Sequence, residues 1–367
     1  MTLPRPRAGT RRAAALPAAA LAALAACATP GIHTAPAPEE PERYCAWFAD
    51  ADRDALYFGE SAFWAAARRS GQSPLADARQ RGVRRIGRFD LARERMLPPL
   101  EVGRGLSGVW DVLLHPNGRV YFTTGFEEAG WVDPGTGRVR MLPALGVGLN
   151  ELALGPGGSI LATRYLEEGS VVAFDPDGAL LAEHPLERRP GWFPAAKSVA
   201  WDPVREEIWV NTDLFPVGGG TPSHDARVLD RDGREIARWE EPLLQFPAFG
   251  PDGTAYLVER AGDVLSLRVV PPGAASPPAS AGRSIVLDAA FPSAFDAAQD
   301  VRVAGDGRVV VTRWSGRVHV VSPDGEVETA ALPRPAGDGL YYTAVLADGR
   351  VCATYCADIQ VVCADAP

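Results

Sequence analysis

The chain has 367 residues, with 37 Lys and Arg against 46 Asp and Glu, for a formal net charge of −9. Four arginines and no acid lie in the first 26 residues, so the remainder holds 33 basic against 46 acidic residues, or −13. Such a surface argues against nucleic acid or anionic lipid as a general partner, and no composition shift marks a second domain within residues 44–367.

The N-terminus gives an address. Arg5, Arg7, Arg11 and Arg12 precede an apolar run from Ala13 to Ala26 that is too short to span a bilayer, which is the pattern of a secretion signal. Leu24-Ala25-Ala26-Cys27 matches the bacterial lipobox, in which a cysteine is acylated, palmitate included, and becomes the new N-terminus. The alternative is an ordinary signal cleaved nearby. Residues 1–26 are therefore expected to be a signal peptide with Cys27 lipidated, and Ala28, where an Asp would retain the protein at the inner membrane, favours the outer membrane facing the periplasm. Residues 27–43, with Pro30, Pro36, Pro38 and Pro41, read as an extended tether. Beyond the signal there is no transmembrane run.

From residue 44 onward, apolar stretches enter and leave tight turns seven times. The turns are at 52–54, 116–118, 156–158, 203–205, 251–253, 305–307 and 347–349, spaced by 64, 40, 47, 48, 54 and 42 residues. Roughly 40 to 50 residues is the length of one propeller blade, so residues 44–367 read as an all-β, seven-bladed β-propeller, with six blades as the alternative and a monomer as the expected state. Each blade then has four antiparallel strands, the first lining the axial channel and the fourth at the rim. Residues 109–142 show the pattern, with Val, Tyr, Phe and Trp in the strands and Pro134-Gly135-Thr136-Gly137 in a turn. Two excursions interrupt the repeat. Residues 60–82 include a predicted short helix at Ala65–Ala67 and the charged or aromatic Phe63, Trp64, Arg68, Arg69, Arg79 and Arg81, and Pro271–Gly282 reads as a loop.

The last repeat offers three strands, and segment 31–35 is a candidate to cover its edge. Cysteines suggest another closure. Cys352 and Cys363 are equidistant from a turn at Ala357-Asp358 and face each other across a hairpin, whereas Cys45 opens the first inner strand and Cys356 ends the second strand of the last blade. The expected disulfides are Cys352–Cys363 and Cys45–Cys356, with free buried thiols as the alternative.

Inner-strand starts converge on the channel mouth. They supply Tyr44 and Cys45, Trp110 and Asp111, Asn150 and Glu151, Lys197 and Ser198, Gln245 and Phe246, Gln299 and Asp300, and Tyr341 and Tyr342. Asp111, Asn150, Glu151 and Asp300 are hard oxygen donors of the kind calcium or magnesium takes, and a hydrated polar channel is the alternative. Arg164, Arg260 and Arg313 recur at second-strand ends. Together with Lys197, the only lysine, they are candidates to hold a carboxylate or sugar acid, against a structural pairing with Asp111, Glu151, Glu259 and Asp300. Asn211–Asp225, with Asp213, Gly218-Gly219-Gly220, Ser223 and His224, reads as a flexible polar loop, a solvated linker first and a cover over the mouth as the alternative.

Two resemblances follow from these motifs. Gln299-Asp300-Val301, Gly305-Asp306-Gly307-Arg308-Val309, Trp314-Ser315-Gly316-Arg317-Val318 and Ser322-Pro323-Asp324-Gly325 resemble a blade of the six-bladed regucalcin/gluconolactonase family, and Leu149-Asn150-Glu151-Leu152 resembles its Asn-bearing strand. That resemblance implies Asn150 and Asp300 as ligands of Ca or Mg, although Tyr44-Cys45 and Lys197-Ser198 stand where the family has Glu and Asn. Val120-Tyr121-Phe122-Thr123-Thr124 with Gly130-Trp131-Val132-Asp133-Pro134-Gly135-Thr136-Gly137 resembles the blade signature of the seven-bladed, NHL-like streptogramin lyases. Of the histidines, His115, His184 and His319 fall away from the mouth and His224 falls on its face. The expected role is a lipid-anchored envelope propeller that binds a small ligand or an envelope protein at the mouth, through Asp111, Asn150, Glu151, Lys197, Gln245, Gln299, Asp300, Tyr342 and the three arginines. The alternative is a divalent-metal lactonase-like hydrolase or lyase.

Overall fold

A computed structural model describes residues 45–51, 54–61, 82–105, 108–125, 127–165, 169–240, 243–272, 282–289, 298–332, 341–346, 350–355 and 360–365. Among them no α-helix occurs, and the strands make seven antiparallel sheets. Sheet 1 is β1 (Cys45–Ala51), β2 (Ala55–Ser61), β3 (Gly82–Asp90) and β4 (Arg95–Gly105). Sheet 2 is β5 (Asp111–Leu114), β6 (Val120–Thr123), β7 (Ala129–Val132) and β8 (Val139–Met141), and sheet 3 is β9 (Leu149–Leu154), β10 (Ile160–Arg164), β11 (Ser170–Phe174) and β12 (Leu180–Pro185). Sheet 4 is β13 (Trp192–Asp202), β14 (Glu207–Pro216), β15 (Ser223–Leu229) and β16 (Glu235–Trp239), and sheet 5 is β17 (Leu243–Phe249), β18 (Ala255–Ala261), β19 (Val264–Val270) and β20 (Arg283–Asp288). Sheet 6 is β21 (Ala298–Val303), β22 (Val309–Arg313), β23 (Arg317–Val321) and β24 (Val327–Ala331), and sheet 7 is β25 (Tyr341–Val345), β26 (Arg350–Tyr355) and β27 (Gln360–Asp365).

Turn chemistry sets these hairpins. In Asp175-Pro176-Asp177-Gly178 the first carboxylate accepts the N–H groups of Asp177 and Ala179, and Asp230 does the same for Asp232 and Arg234. Each motif ends on a glycine at positive φ, Gly178 (87°) and Gly233 (81°), a conformation that side chains disfavour. Middle strands are apolar on both faces because both faces are covered; β10 and β11 are buried throughout while β12, at the rim, is mostly exposed.

The sheets pack face to face as blades. Each pair of neighbours encloses one apolar cluster, for example Leu113, Tyr121, Leu149 and Ile160 between sheets 2 and 3, and Val310, Val318, Val351 and Ala353 between sheets 6 and 7. The first strands touch in succession around the axis, and β25 and β26 meet β1. Sheets 7 and 1 share Leu56, Phe58, Phe89, Ala344, Leu346 and Cys352. The ring is therefore closed by packing, and the fold is a β-propeller. Gly59 shows how tight the joints are, since a Cβ there would lie 2.6 Å from the Val109 carbonyl of the next blade.

Cys352 and Cys363 face each other on β26 and β27 and form the expected disulfide, with Cα atoms 4.1 Å apart. Cys356, the Cys45 side chain, Cys27, segment 31–35, Ala65–Ala67 and most of Pro271–Gly282 lie outside the described residues. Blade 7 has three strands among those described.

One reading needs correction. Asn211–Asp225 is mostly strand, because β14 runs on to Pro216 and β15 starts at Ser223, pairing Asp213 with His224 and Leu214 with Ser223. The polar composition concealed this. Leu214 and Phe215 are buried, and β13 continues alongside through Trp192–Ala196, so the hairpin is held by packing that a local reading misses.

Candidate functional site at the channel mouth

Five inner strands carry a register irregularity at the mouth, in sheets 1, 3, 4, 5 and 6. These bulges place Asn150 and Glu151, Lys197, Phe246 and Gln299 as residues without one-to-one partners. A bulge bends the strand and re-aims its side chains. Threonines on the second strands hold the bulges: Thr123 Oγ1 donates to the Asn150 carbonyl of the following blade, and Thr163 Oγ1 accepts the Glu151 N–H of its own blade and donates to the Lys197 carbonyl of the following one at 3.3 Å. Between sheets 6 and 7 the contact is side chain to side chain, with Thr312 Oγ1 and Thr343 Oγ1 2.6 Å apart.

A polar cluster forms where blades 3 and 4 meet. Asp213 Oδ1 is 2.7 Å from His224 Nδ1 and 3.7 Å from Lys197 Nζ, and Oδ2 accepts from the Tyr165 hydroxyl at 2.9 Å. Asp213 is 11% exposed, whereas the Lys197 and His224 side chains keep 38% and 43% of their surface. Burial alone would raise the Asp213 carboxyl, but Lys197, His224 and the Tyr165 hydroxyl outweigh it and hold it at about 2. The carboxylate is thus fixed, and it orients a cation and an imidazole that solvent can reach.

The inner strands also carry Asp50, Asp111, Glu151 and Asp300, with Arg302 on β21. Asp50 Oδ2 accepts the Leu114 N–H of the next blade at 2.8 Å, and Asp111 Oδ2 accepts that of Leu152 at 2.7 Å, so these acids also tie blades together. Burial pushes Asp111 up to about 7 against the hydrogen bonds from Leu152 and Val112, and raises Asp50 as well. Burial, with Asp111, Asp300 and Asp213 nearby, lifts Glu151 well above the usual carboxylate range, opposed by Lys197. Arg302 donates through Nε to Asp300 at 2.9 Å. Its side chain is 53% exposed, and the charges of Asp300, Asp50 and Asp111 favour its protonated form.

The other expected residues divide by strand face. Gln299 is buried with Oε1 accepting from Thr343, Tyr342 is buried with its ring 6.4 Å from that of Trp314, and Gln245 is half-buried on β17. Arg260 lies at the mouth end of β18, opposite Leu243. Arg164 and Arg313 are turned between blades instead: Arg164 binds Glu183 and the Leu145 and Val147 carbonyls, and Arg313 binds Asp288. Alternation explains the split, because each follows a latch threonine and so faces the opposite way. Asp50, Tyr165 and Arg302 did not emerge from the sequence reading; Arg302 had a signal, since it stands two residues after Asp300 and shares its face.

Asn150 and Asp300, the resemblance-derived metal ligands, are differently engaged. Asn150 Nδ2 donates to the Lys197 carbonyl at 3.3 Å, while Asp300 Oδ1 takes the Val301 N–H and Oδ2 takes Arg302. Among the described residues no group of three or more His, Cys, Asp or Glu could hold a metal ion. The donor set does not fit a divalent cation.

No known family model matches the chain, and no curated protein matches it. Solved structures do. A catalytically inactive variant of virginiamycin B lyase from Staphylococcus aureus, determined with quinupristin, is 11% identical over 88% of this chain and 95% of that one, with a TM-score of 0.55. The β-propeller domain of Cps50 (Swd1) from Myceliophteria thermophila is 9% identical over 90% and 100%, and the Pan2 WD40 domain from Neurospora crassa is 11% identical over 89% and 91%, each with a TM-score of 0.59. These likenesses establish the fold alone.

The raised carboxyls carry a pH signature. The folded chain retains protons on Asp50, Asp111 and Glu151 where the unfolded chain, with Asp near 3.8 and Glu near 4.5, has released them. Stability contributed by those protons is therefore present at low pH and is lost as pH rises through the folded value of about 7 for Asp111. Urea unfolding between about pH 5 and 8 should show this decline, with a smaller slope in Asp111→Asn; an unchanged slope contradicts the assignment.

Proposed function

We propose that this protein is a lipid-anchored propeller of the bacterial envelope that binds a small ligand at its channel mouth, between blades 3 and 4. The convergence of the only lysine, an accessible histidine and a tyrosine on one buried carboxylate carries the reading. Lys197 supplies a mobile positive charge, His224 a donor or acceptor, and Glu151, held toward its neutral form, a further donor. The matching ligand is small and polar with an anionic group, and an envelope protein inserting such a side chain would meet the same set. The lipobox around Cys27 supports a lipid anchor and Ala28 supports the outer membrane; Cys27→Ser should move the protein from the membrane to the soluble fraction, and retention at the membrane would contradict the anchor.

A second reading rests on the 2.7 Å contact between His224 and Asp213. With Nδ1–H donated to Asp213, Nε2 is left as an acceptor able to take a proton, the arrangement of a general base held by its orienting acid. Such a dyad suits a lyase or hydrolase, and virginiamycin B lyase shares the fold.

Lys197 makes both readings measurable, because it is the one side-chain amine in the chain. Amine acylation read by mass spectrometry, across a panel of sugar acids, dicarboxylates and amino sugars, should show Lys197 protected by an anionic member in the wild type and unprotected in Asp213→Asn. Uniform labelling across the panel would count against the binding reading. Loss of intact quinupristin, abolished by His224→Ala, would establish the lyase reading instead.

A further inference from the structure

We propose that the seam between blades 3 and 4 holds a second ligand site, away from the mouth, that takes a small aromatic cation: a flat ring bearing an amidinium or guanidinium group. The site is independent of Lys197, Asp213 and His224. It is a cavity of about 300 Å3 at the turn between β9 and β10, lined by Ser159, Leu161 and Ala173 of blade 3 and by Trp201 and Arg231 of blade 4, with His184 on the rim strand β12. That volume is at the lower end of the range for small-molecule sites.

The preceding seam shows what is missing here. Hydrogen-bond register makes Ser159 the counterpart of Arg119, since the Gly155 N–H donates to the Ser159 carbonyl as the His115 N–H does to that of Arg119. Leu161 pairs with Ala173 across β10 and β11 where Tyr121 pairs with Trp131 across β6 and β7. Between blades 2 and 3 the three large side chains close the seam. Arg119 Cζ lies 4.0 Å from the centroid of the Trp131 ring, and Arg119 Nη1 donates to the Pro176 carbonyl at 3.0 Å and to Asp177 Oδ1 at 3.1 Å. The seam between blades 4 and 5 is filled by Trp209, with the Trp239 and Phe249 rings 5.7 and 5.9 Å from it. Between blades 3 and 4, Arg, Tyr and Trp become Ser, Leu and Ala, and the cavity is the volume they leave.

The partners that Arg119 finds are repeated at this cavity. The blade 4 turn Asp230-Arg231-Asp232-Gly233 is built like Asp175-Pro176-Asp177-Gly178 of blade 3, so the Arg231 carbonyl and Asp232 correspond to the Pro176 carbonyl and Asp177. Ser159 is 7% exposed, and its Oγ has no hydrogen-bond partner among the described residues. A buried hydroxyl in that state calls for a ligand group or water. The His184 ring packs against Gly233, in the place that Leu142 has against Gly178, and burial lowers its basicity against the pull of Asp230 and Asp232. It therefore adds no standing positive charge. The Arg231 guanidinium turns to Glu206 at 3.4 Å, and Asp230 and Asp232 remain to favour a cation. With Trp201 as its aromatic wall, such a ligand brings from outside the planar charge and donors that Arg119 supplies from within the chain.

Benzamidinium is the probe. Calorimetric titration of the full chain should show one saturable site, with benzoate, of similar size and opposite charge, at least about tenfold weaker. Asp232→Asn, an exposed substitution, should weaken the probe about tenfold. Ser159→Arg, which gives blade 3 the residue that blade 2 has, should abolish binding. If Ser159→Arg does not fold, Leu161→Tyr fills the same space and should abolish binding in its place. No saturable binding of benzamidinium, equal binding of benzoate, or binding unchanged in Asp232→Asn or in the filled variant would overturn the proposal.

Discussion

The joint between the last blade and the first is what the rest of the molecule depends on. Sheets 1 and 7 are at opposite ends of the chain, yet Leu56, Phe58 and Phe89 pack with Ala344, Leu346 and Cys352 in one buried cluster. Burial of each leucine or phenylalanine there contributes roughly 1.5–3 kcal/mol. Without this joint the other six seams would still form, but the inner strands would have no common axis. Acids on β1 and β5 would not face an arginine on β21. The Cys352–Cys363 bond stiffens the closing hairpin from within, while the seam itself is apolar packing.

Once closed, the ring converts backbone hydrogen bonding into site geometry. Each latch threonine and each bridging carboxylate ties one inner strand to the next, so bulged residues such as Lys197 are held by the preceding blade as well as their own. That arrangement explains how a short polar cluster can be preorganised at a mouth built from several separate segments. It also separates two electrostatic regimes. Lysine and histidine keep Asp213 ionised, while burial drives Asp111 and Glu151 toward their neutral forms, opposed by Arg302 at Asp111 and by Lys197 at Glu151.

Much of the fold was legible in the sequence because turn chemistry is local. Asp175-Pro176-Asp177-Gly178 states its own hairpin, since the carboxylate, the N–H groups it caps and the glycine are adjacent in the chain. The Cys352–Cys363 pairing was legible for the same reason. At the site, reading strand starts found Lys197, Glu151 and Asp300, because they stand in or next to bulges at those starts. The signal failed where a non-local partner decides. Nothing in Asn211–Asp225 reveals that β13 runs alongside it, and Arg164 looks like a mouth residue until Glu183, two strands away in its own blade, and the Leu145 carbonyl are seen to bind it. Arg302 was overlooked because attention to the first residue of each strand ignored the second residue on the same face.

Coupling between Asp50 and Arg302 tests the closed axis most directly, since only ring closure brings blades 1 and 6 within electrostatic range across blade 7. Chemical denaturation of Asp50→Asn, Arg302→Met and the double variant gives that coupling as a cycle. The account predicts non-additivity on the order of 1 kcal/mol, the double variant being less destabilised than the sum of the singles. Strict additivity would mean that the two residues do not share an axis, and would contradict the account.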